Sequence, residues 1–129
     1  MSQSHAALGM PRLDLVVLDC PDPRALGAFY ARILGWEIES ADDDWVDVRG
    51  PGGGIGLSFQ KVDGYQAPTW PEGPRPQHFH LDFDVADIDS AEPAVLEAGA
   101  TVHDHQPSES GSFRVYLDPA GHPFCLCRS

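Results

Sequence analysis

Apolar and polar positions along the 129-residue chain follow one pattern twice, with a proline-rich stretch between the two copies. Residues 12–19 hold Leu13, Leu15, Val16, Val17 and Leu18, a run whose density of Leu and Val on both faces predicts a strand buried on both sides. Asp22 and Pro23 follow, a capping carboxylate and a proline suited to the first helical position, so a helix is expected to begin there. Leu26, Phe29, Tyr30, Ile33 and Leu34 recur at spacings of three and four, which gives that helix an apolar stripe that a sheet must cover. Gly35 suits a left-handed cap at its end. Residues 36–40, 45–49 and 55–61 read as three strands, parted by Asp42, Asp43 and Asp44 and by the glycine-rich turn at 50–54.

Residues 62–77 carry Pro68, Pro71, Pro74 and Pro76 with Tyr65 and Trp70 among them, a stiff connection rather than a strand. The first pattern then returns. Residues 79–85 alternate, 87–98 are helical, Gly99 caps the helix, and 101–103, 112–117 and 123–127 are strand-like. Leu15 and Asp22 fall opposite His80 and Asp87, and Gly35 and Ile38 opposite Gly99 and Val102, as an internal duplication requires. The expectation is a flexible arm at residues 1–10 and one α+β domain at 11–129, with module one at 11–61, the connection at 62–77 and module two at 78–128. Pro93 interrupts the second helical pattern, where an interior proline costs about 3 kcal/mol. That helix is therefore expected to start late, with Ser90 as its cap, or to have a distorted first turn.

Period-two geometry puts Phe79, Leu81, Phe83 and Val85 on one face of the fifth strand, to be packed on helices, and His78, His80, Asp82 and Asp84 on the other. In the last strand Pro123, Cys125 and Cys127 point one way, so a thiol can share the face of His80. Trp45 with Asp47, Ser58 with Gln60, and Arg114 with Tyr116 each share a strand face that lines either a pocket or water. His103 and His105 form a second His-x-His pair, but two imidazoles alone do not make a metal site. The glycines at 52–54 join two strands instead of opening a helix, and no Gly-x-Ser-x-Gly elbow is present, so neither a phosphate loop nor a hydrolase triad has an anchor.

Charge narrows the partners. Lys and Arg number 8 against 20 Asp and Glu, a formal charge of −12, and the basic residues are scattered. Such a surface repels phosphate backbones and anionic headgroups, which excludes nucleic acid and membrane surfaces as expected partners. The first ten residues have neither the basic nor the hydrophobic region of a secretion signal. Of the three cysteines, Cys125 and Cys127 sit two apart on one strand, too far for good disulfide geometry, so free thiols and a cytoplasmic location are expected.

Leu13-Asp14-Leu15-Val16-Val17-Leu18 running into Ala28-Phe29-Tyr30 and Leu34-Gly35-Trp36, with the closing Tyr116-Leu117-Asp118-Pro119-Ala120-Gly121-His122-Pro123-Phe124, resembles the vicinal oxygen chelate superfamily. That group includes glyoxalase I, bleomycin-resistance proteins and extradiol dioxygenases, and the chain looks most like its glyoxalase-like members. The resemblance implies two tandem βαβββ modules forming an open, curled mixed sheet around a cavity, often in a homodimer. Metal-dependent members draw ligands, usually His and Glu, from the first, fourth, fifth and eighth strands. Carried over, Leu15 replaces the first-strand His, the fourth-strand position falls on Leu57 or Gln60, His80 is kept, and Cys125 replaces the Glu.

A catalytic divalent ion wants about three protein ligands, so the usual metal is not expected and no cofactor is assigned. A shifted ion on His78, His80 and Cys125 is the alternative. The resulting expectation is a small-molecule binder whose cavity involves Leu15, Trp45, Gln60, His78, His80, Tyr116 and Cys125, with the connection at 65–70 over its mouth. A cationic ligand would be drawn by the acidic field. The competing expectation is a lyase, isomerase or dioxygenase of the same superfamily in which His80 is catalytic, as a metal ligand or as a general base beside an acid.

Overall fold

Helical spacing after a short strand becomes, in the computed structural model, the unit β1 (Leu15–Cys20), α1 (Pro23–Leu34), β2 (Glu37–Ala41), β3 (Trp45–Arg49) and β4 (Gly56–Lys61). The second unit repeats it as β5 (Leu81–Val85), α2 (Ile88–Ala98), β6 (Thr101–Val102), β7 (Phe113–Leu117) and β8 (Pro123–Arg128). The structure describes residues 9 and 11–128, so the expected arm at 1–10 lies outside the described residues except for Gly9. Each unit forms a four-stranded mixed sheet, in the orders β1-β4-β3-β2 and β5-β8-β7-β6. The parallel pair in each is the first strand with the last, β1 on β4 and β5 on β8, which is how a βαβββ module closes.

Local chemistry sets the helix ends. The Asp22 carboxylate accepts a 3.2 Å hydrogen bond from the Ala25 amide, Pro23 occupies the first turn, and Gly35 takes φ +67 to end α1. The second helix does not start late. Asp87 is its cap, accepting from the Ser90 amide at 3.0 Å, and Pro93 lies inside the helix. Pro93 and Asp89, whose carbonyl loses its helical partner, are both exposed, so solvent can supply the missing bond. Buried Ile88 and Val95 hold the helix down meanwhile.

Both helices pack on the same side of their sheets and on each other, so the two halves share one core. Its centre is aromatic: Tyr30 stacks on Phe59 of β4 at 5.6 Å and stands 6.1 Å from Phe83 and 6.3 Å from Phe124 of the second sheet. Burial and ring pairing of this kind contribute about 0.5–1.5 kcal/mol per pair beyond the area removed from water. The Tyr30 hydroxyl donates a 2.7 Å bond to Asp118 at the end of β7, a link between the halves that excludes water.

Two expectations about apolar faces fail. The first strand is not buried on both sides: as the edge of its sheet it leaves Val16 37% and Val17 40% exposed, and Leu13 before it 62%. Phe79 does not pack on helices but is 91% exposed, because strand pairing begins only at Leu81 and alternation does not govern a residue outside the ladder.

Helix α1 approaches its sheet closely at Gly27, where an added Cβ would lie 2.6 Å from Val46 Cγ1 and 3.4 Å from Phe59. Alanine would gain about 1 kcal/mol of helix propensity, but overpacking a stiff β-branched neighbour costs about 1–3 kcal/mol. Gly27→Ala is expected to lower stability in urea unfolding; a variant as stable as the parent would contradict this packing.

Candidate functional site

The free edge of β1 and the segment leading into β5 bound a cavity of about 670 Å³, within the range that holds small ligands. Leu13, Leu15 and Val17 form one wall, and Pro68 and Pro76 of the proline-rich connection another. Polar groups come from the end of the connection, Gln77, and from the second half, His78, His80 and His122. Among the described residues no Asp or Glu side chain lines the cavity, although the chain has 20 of them. A smaller hollow of about 330 Å³ near the ends of the helices holds the exposed Arg32–Glu97 ion pair and no imidazole.

The cavity walls are fixed from behind. Arg49 donates to the Asp14 carboxylate at 3.1 Å and the Glu39 carboxylate at 3.2 Å, and also to the Asp14 carbonyl, which pins the entry to β1. His122 Nε2 lies 2.6 Å from the Asp19 carbonyl, an oxygen that only accepts, so this nitrogen carries a proton. Tyr65, whose hydroxyl donates to the Ala120 carbonyl at 2.9 Å, stands 3.2 Å from the same nitrogen. Asp118 orders this turn by accepting from the amides of Ala120 at 2.8 Å and His122 at 3.0 Å. Burial raises the Asp118 carboxyl above the ordinary range, and the bond from Tyr30, the nearby His122 and the two amides pull it part of the way back.

Of the residues singled out by sequence, Leu15, His78 and His80 meet at this cavity, and four stand elsewhere. Trp45 and Gln60 are cross-strand partners on the helix-free face of the first sheet, two strands away from β1 for Trp45, and the indole is spent on Asp47 at 2.6 Å. There Ser58, Ser40 and Trp45 all donate to Asp47. Burial opposes its charge, but these bonds and Arg49 outweigh it and hold the carboxyl below the ordinary value.

Tyr116 faces the opposite side of its sheet from His80. It is fully buried, stacked on Phe124 at 5.4 Å, and donates a 2.8 Å bond to Glu92 of α2. Arg114 beside it donates to the same carboxylate at 2.8 Å and to Asp89 at 3.0 Å. A polar face of β7 therefore looks into the helix layer and not into a pocket.

Cys125 of β8 is buried, shares a sheet face with Asp82, its cross-strand partner in β5, and does not line the cavity. Burial, with Asp82 adding to it, pushes the Cys125 thiol up to about 12. His80 Nε2 lies 3.1 Å from Asp82 Oδ1. All three cysteines are free. His103 and His105 pack on Trp70 at 5.0 and 5.3 Å, and His103 Nδ1 accepts the His105 amide, so this pair serves the connection. His122, which also lines the cavity, sits in a turn that strand periodicity does not reach; its place in the Asp118-to-Phe124 segment is the one signal for it in the sequence.

The four-strand metal set does not fit these residues. Leu15 has no donor atom and pairs with Gly56; Leu57 is 5% exposed in the core, and Gln60 pairs far along with Asp19. Only His80 and Cys125 of the four positions can hold an ion.

Residues 15–127 match the sequence model of the family described as "Glyoxalase-like domain". Among solved structures, the chain is similar to a glyoxalase/bleomycin resistance protein/dioxygenase family enzyme from Burkholderia phytofirmans PsJN, at 20% identity and TM-score 0.68, over 92% of this chain and 98% of that one. It is also similar to the glyoxalase family protein from Enterococcus faecalis, at 23% identity and TM-score 0.67, over 91% and 97%. A glyoxalase-related enzyme from Fulvimarina pelagi aligns at 18% identity and TM-score 0.66, over 93% and 89%. These likenesses carry the fold. No curated protein matches the chain. No helix among the described residues is long and apolar enough to cross a membrane.

The raised Asp118 carboxyl has a sign that can be measured. A folded-state pKa above the unfolded one contributes stability below about pH 3.9, which is lost as pH rises through the folded value. Removing the Tyr30 hydroxyl takes away a bond that favours the charged form and raises that value further. Tyr30→Phe is expected to cost about 1–3 kcal/mol near neutral pH and less near pH 4. Urea unfolding at both pH values checks it; a deficit that does not grow with pH would contradict the assignment.

Proposed function

The chain belongs to the glyoxalase-like domain family of the vicinal oxygen chelate superfamily, and on that premise we propose that it binds a small apolar or aromatic molecule bearing a hydrogen-bond acceptor, in the cavity beside β1, without the family's four-strand metal centre. The observation that carries this reading is the composition of the wall. Leu13, Leu15, Val17 and two prolines offer apolar area, while Gln77 of the connection and three imidazoles of the other half converge on it. Apolar walls with a few fixed polar groups are what small-ligand sites offer.

The same wall argues against the cationic ligand that a charge of −12 invites. An acidic surface attracts cations at long range, but selection happens at the wall, which no carboxylate lines among the described residues, Asp82 standing beyond His80. An anionic or neutral acceptor, such as a carboxylate or a ketone, suits an imidazole donor such as His78 in that wall. Calorimetry with an aromatic series tests this. Benzoate, phenylacetate and phenylpyruvate are expected to bind and benzylamine not to. Leu15→Trp, which fills the cavity, should weaken binding at least about tenfold, since a buried site tolerates little added volume, while Trp45→Ala should leave it unchanged. Amine binding without acid binding, no binding by any acid, or binding that survives Leu15→Trp would overturn the proposal.

A second reading rests on one contact, His80 with Asp82 at 3.1 Å at the cavity margin. A carboxylate that orients an imidazole equips it as a general base, and proton abstraction beside a carbonyl is the simplest reaction such a site supports. On this reading the protein accelerates solvent deuterium exchange at the carbon next to the ketone of phenylpyruvate. The acceleration falls about 100-fold or more in His80→Gln. An exchange rate that His80→Gln does not change would remove the catalytic role.

A further inference from the structure

The three imidazoles of the cavity wall are not alike in what they can still bond. His122 Nε2 has two neighbours, the Asp19 carbonyl at 2.6 Å and the Tyr65 hydroxyl at 3.2 Å. The Tyr65 proton goes to the Ala120 carbonyl at 2.9 Å, so both neighbours turn lone pairs toward Nε2, and this nitrogen carries the proton. His80 is engaged in the same way, with Nε2 3.1 Å from Asp82 Oδ1. A neutral imidazole has one N–H, so the second nitrogen of each ring, Nδ1, is an acceptor. His78, exposed and without a hydrogen-bond partner among the described residues, is the imidazole whose N–H is free.

Of the two acceptor rings His122 is the better fixed. Its amide donates to Asp118 at 3.0 Å, its Nε2 is held by β1 of the first module, and the side chain is half-buried. His80 stands ahead of the β5–β8 ladder with its side chain 44% exposed. Nδ1 of His122 has no hydrogen-bond partner among the described residues, on a ring that lines the cavity.

We propose that His122 is a specificity-determining residue that selects a hydroxyl-bearing ligand, its Nδ1 accepting the hydroxyl proton while the acceptor oxygen of the same molecule faces His78. The inference rests on the cavity reading above and narrows it, from any apolar molecule with an acceptor to one that also brings a donor. The physical reason is the cost of covering a fixed acceptor. A ligand body that shields Nδ1 from water without donating to it leaves that lone pair unpaired, whereas a hydroxyl at the same place satisfies it. A site built around such a contact discriminates against the analogue that lacks the proton more sharply than apolar contact does.

Two measurements on the full-length chain test this. Long-range nitrogen–proton correlation of the histidine side chains at mildly alkaline pH is expected to show His122 as the Nε2–H tautomer, with Nδ1 unprotonated. Addition of 3- or 4-hydroxyphenylacetate should move the Nδ1 resonance further than phenylacetate does. By calorimetry one of these two hydroxy acids is expected to bind about three- to tenfold tighter than phenylacetate, the net worth of one hydrogen bond, and its methoxy counterpart no tighter. In His122→Phe the advantage of hydroxyl over hydrogen should vanish, whatever the affinity for phenylacetate itself becomes. The tautomer and the methoxy comparison decide the matter if that variant does not fold. An Nδ1–H tautomer, hydroxy and methoxy acids that bind alike, or an advantage that folded His122→Phe retains would overturn the inference. Phenylacetate bound without any hydroxyl advantage sinks this inference alone, while no binding by any of these acids sinks the cavity reading with it.

Discussion

The Tyr30 hydroxyl meets the Asp118 carboxylate at 2.7 Å where neither side chain sees water, 0% and 4% exposed. A carboxylate is stranded in such a place unless it is hydrogen-bonded, and this one accepts from Tyr30 of the first module and from two amides of its own turn. The bond therefore acts in two directions. It ties α1 to the second sheet, where the ring already lies against Phe59 on one side and near Phe83 and Phe124 on the other. It also sets the turn that presents His122. The two cavity walls come from different halves and their sheets share no ladder, so their separation depends on this buried link and the aromatic core around it.

Duplication explains why one cavity has unlike walls. Leu15 and His80 hold equivalent places in the two modules, and in the structure both face the cavity, one as apolar surface and one as imidazole. A single fold thus supplies area from one copy and hydrogen-bonding chemistry from the other. The acidic residues stay out of the cavity wall, on turns, helix caps and the open faces of the sheets. Net charge in this chain describes its solvent surface and not the wall of the cavity.

Much of the fold was legible. Asp22, Pro23 and Gly35 bracket α1 where capping chemistry says they should, and β3 runs from Trp45 to Arg49 as its alternation predicts. Resemblance added the module pairing. What periodicity misjudged has physical causes. Phe79 and Leu13 lie beyond the ladders, where no partner strand enforces alternation. Pro93 is tolerated because its helix face is wet. Tyr116 and Arg114 look like pocket residues because they are polar-tipped neighbours on one strand face, but Glu92 and Asp89 come from α2 and answer them, a tertiary pairing absent from any local pattern. The candidate site was half legible: Leu15, His78 and His80 line one cavity, Trp45 and Gln60 pair across strands of the first sheet away from it, and Cys125 stands with Asp82.

The space between β1 and the entry to β5 is the proposed place where a small acceptor-bearing molecule binds. Amide shifts in a nuclear magnetic resonance titration of the full chain with phenylacetate locate that place directly. The prediction is that perturbed amides cluster at Leu15, Val17, His80 and His122, from both halves at once. Perturbations confined to β2 and β3, or to the hollow near Arg32 and Glu97, would contradict it.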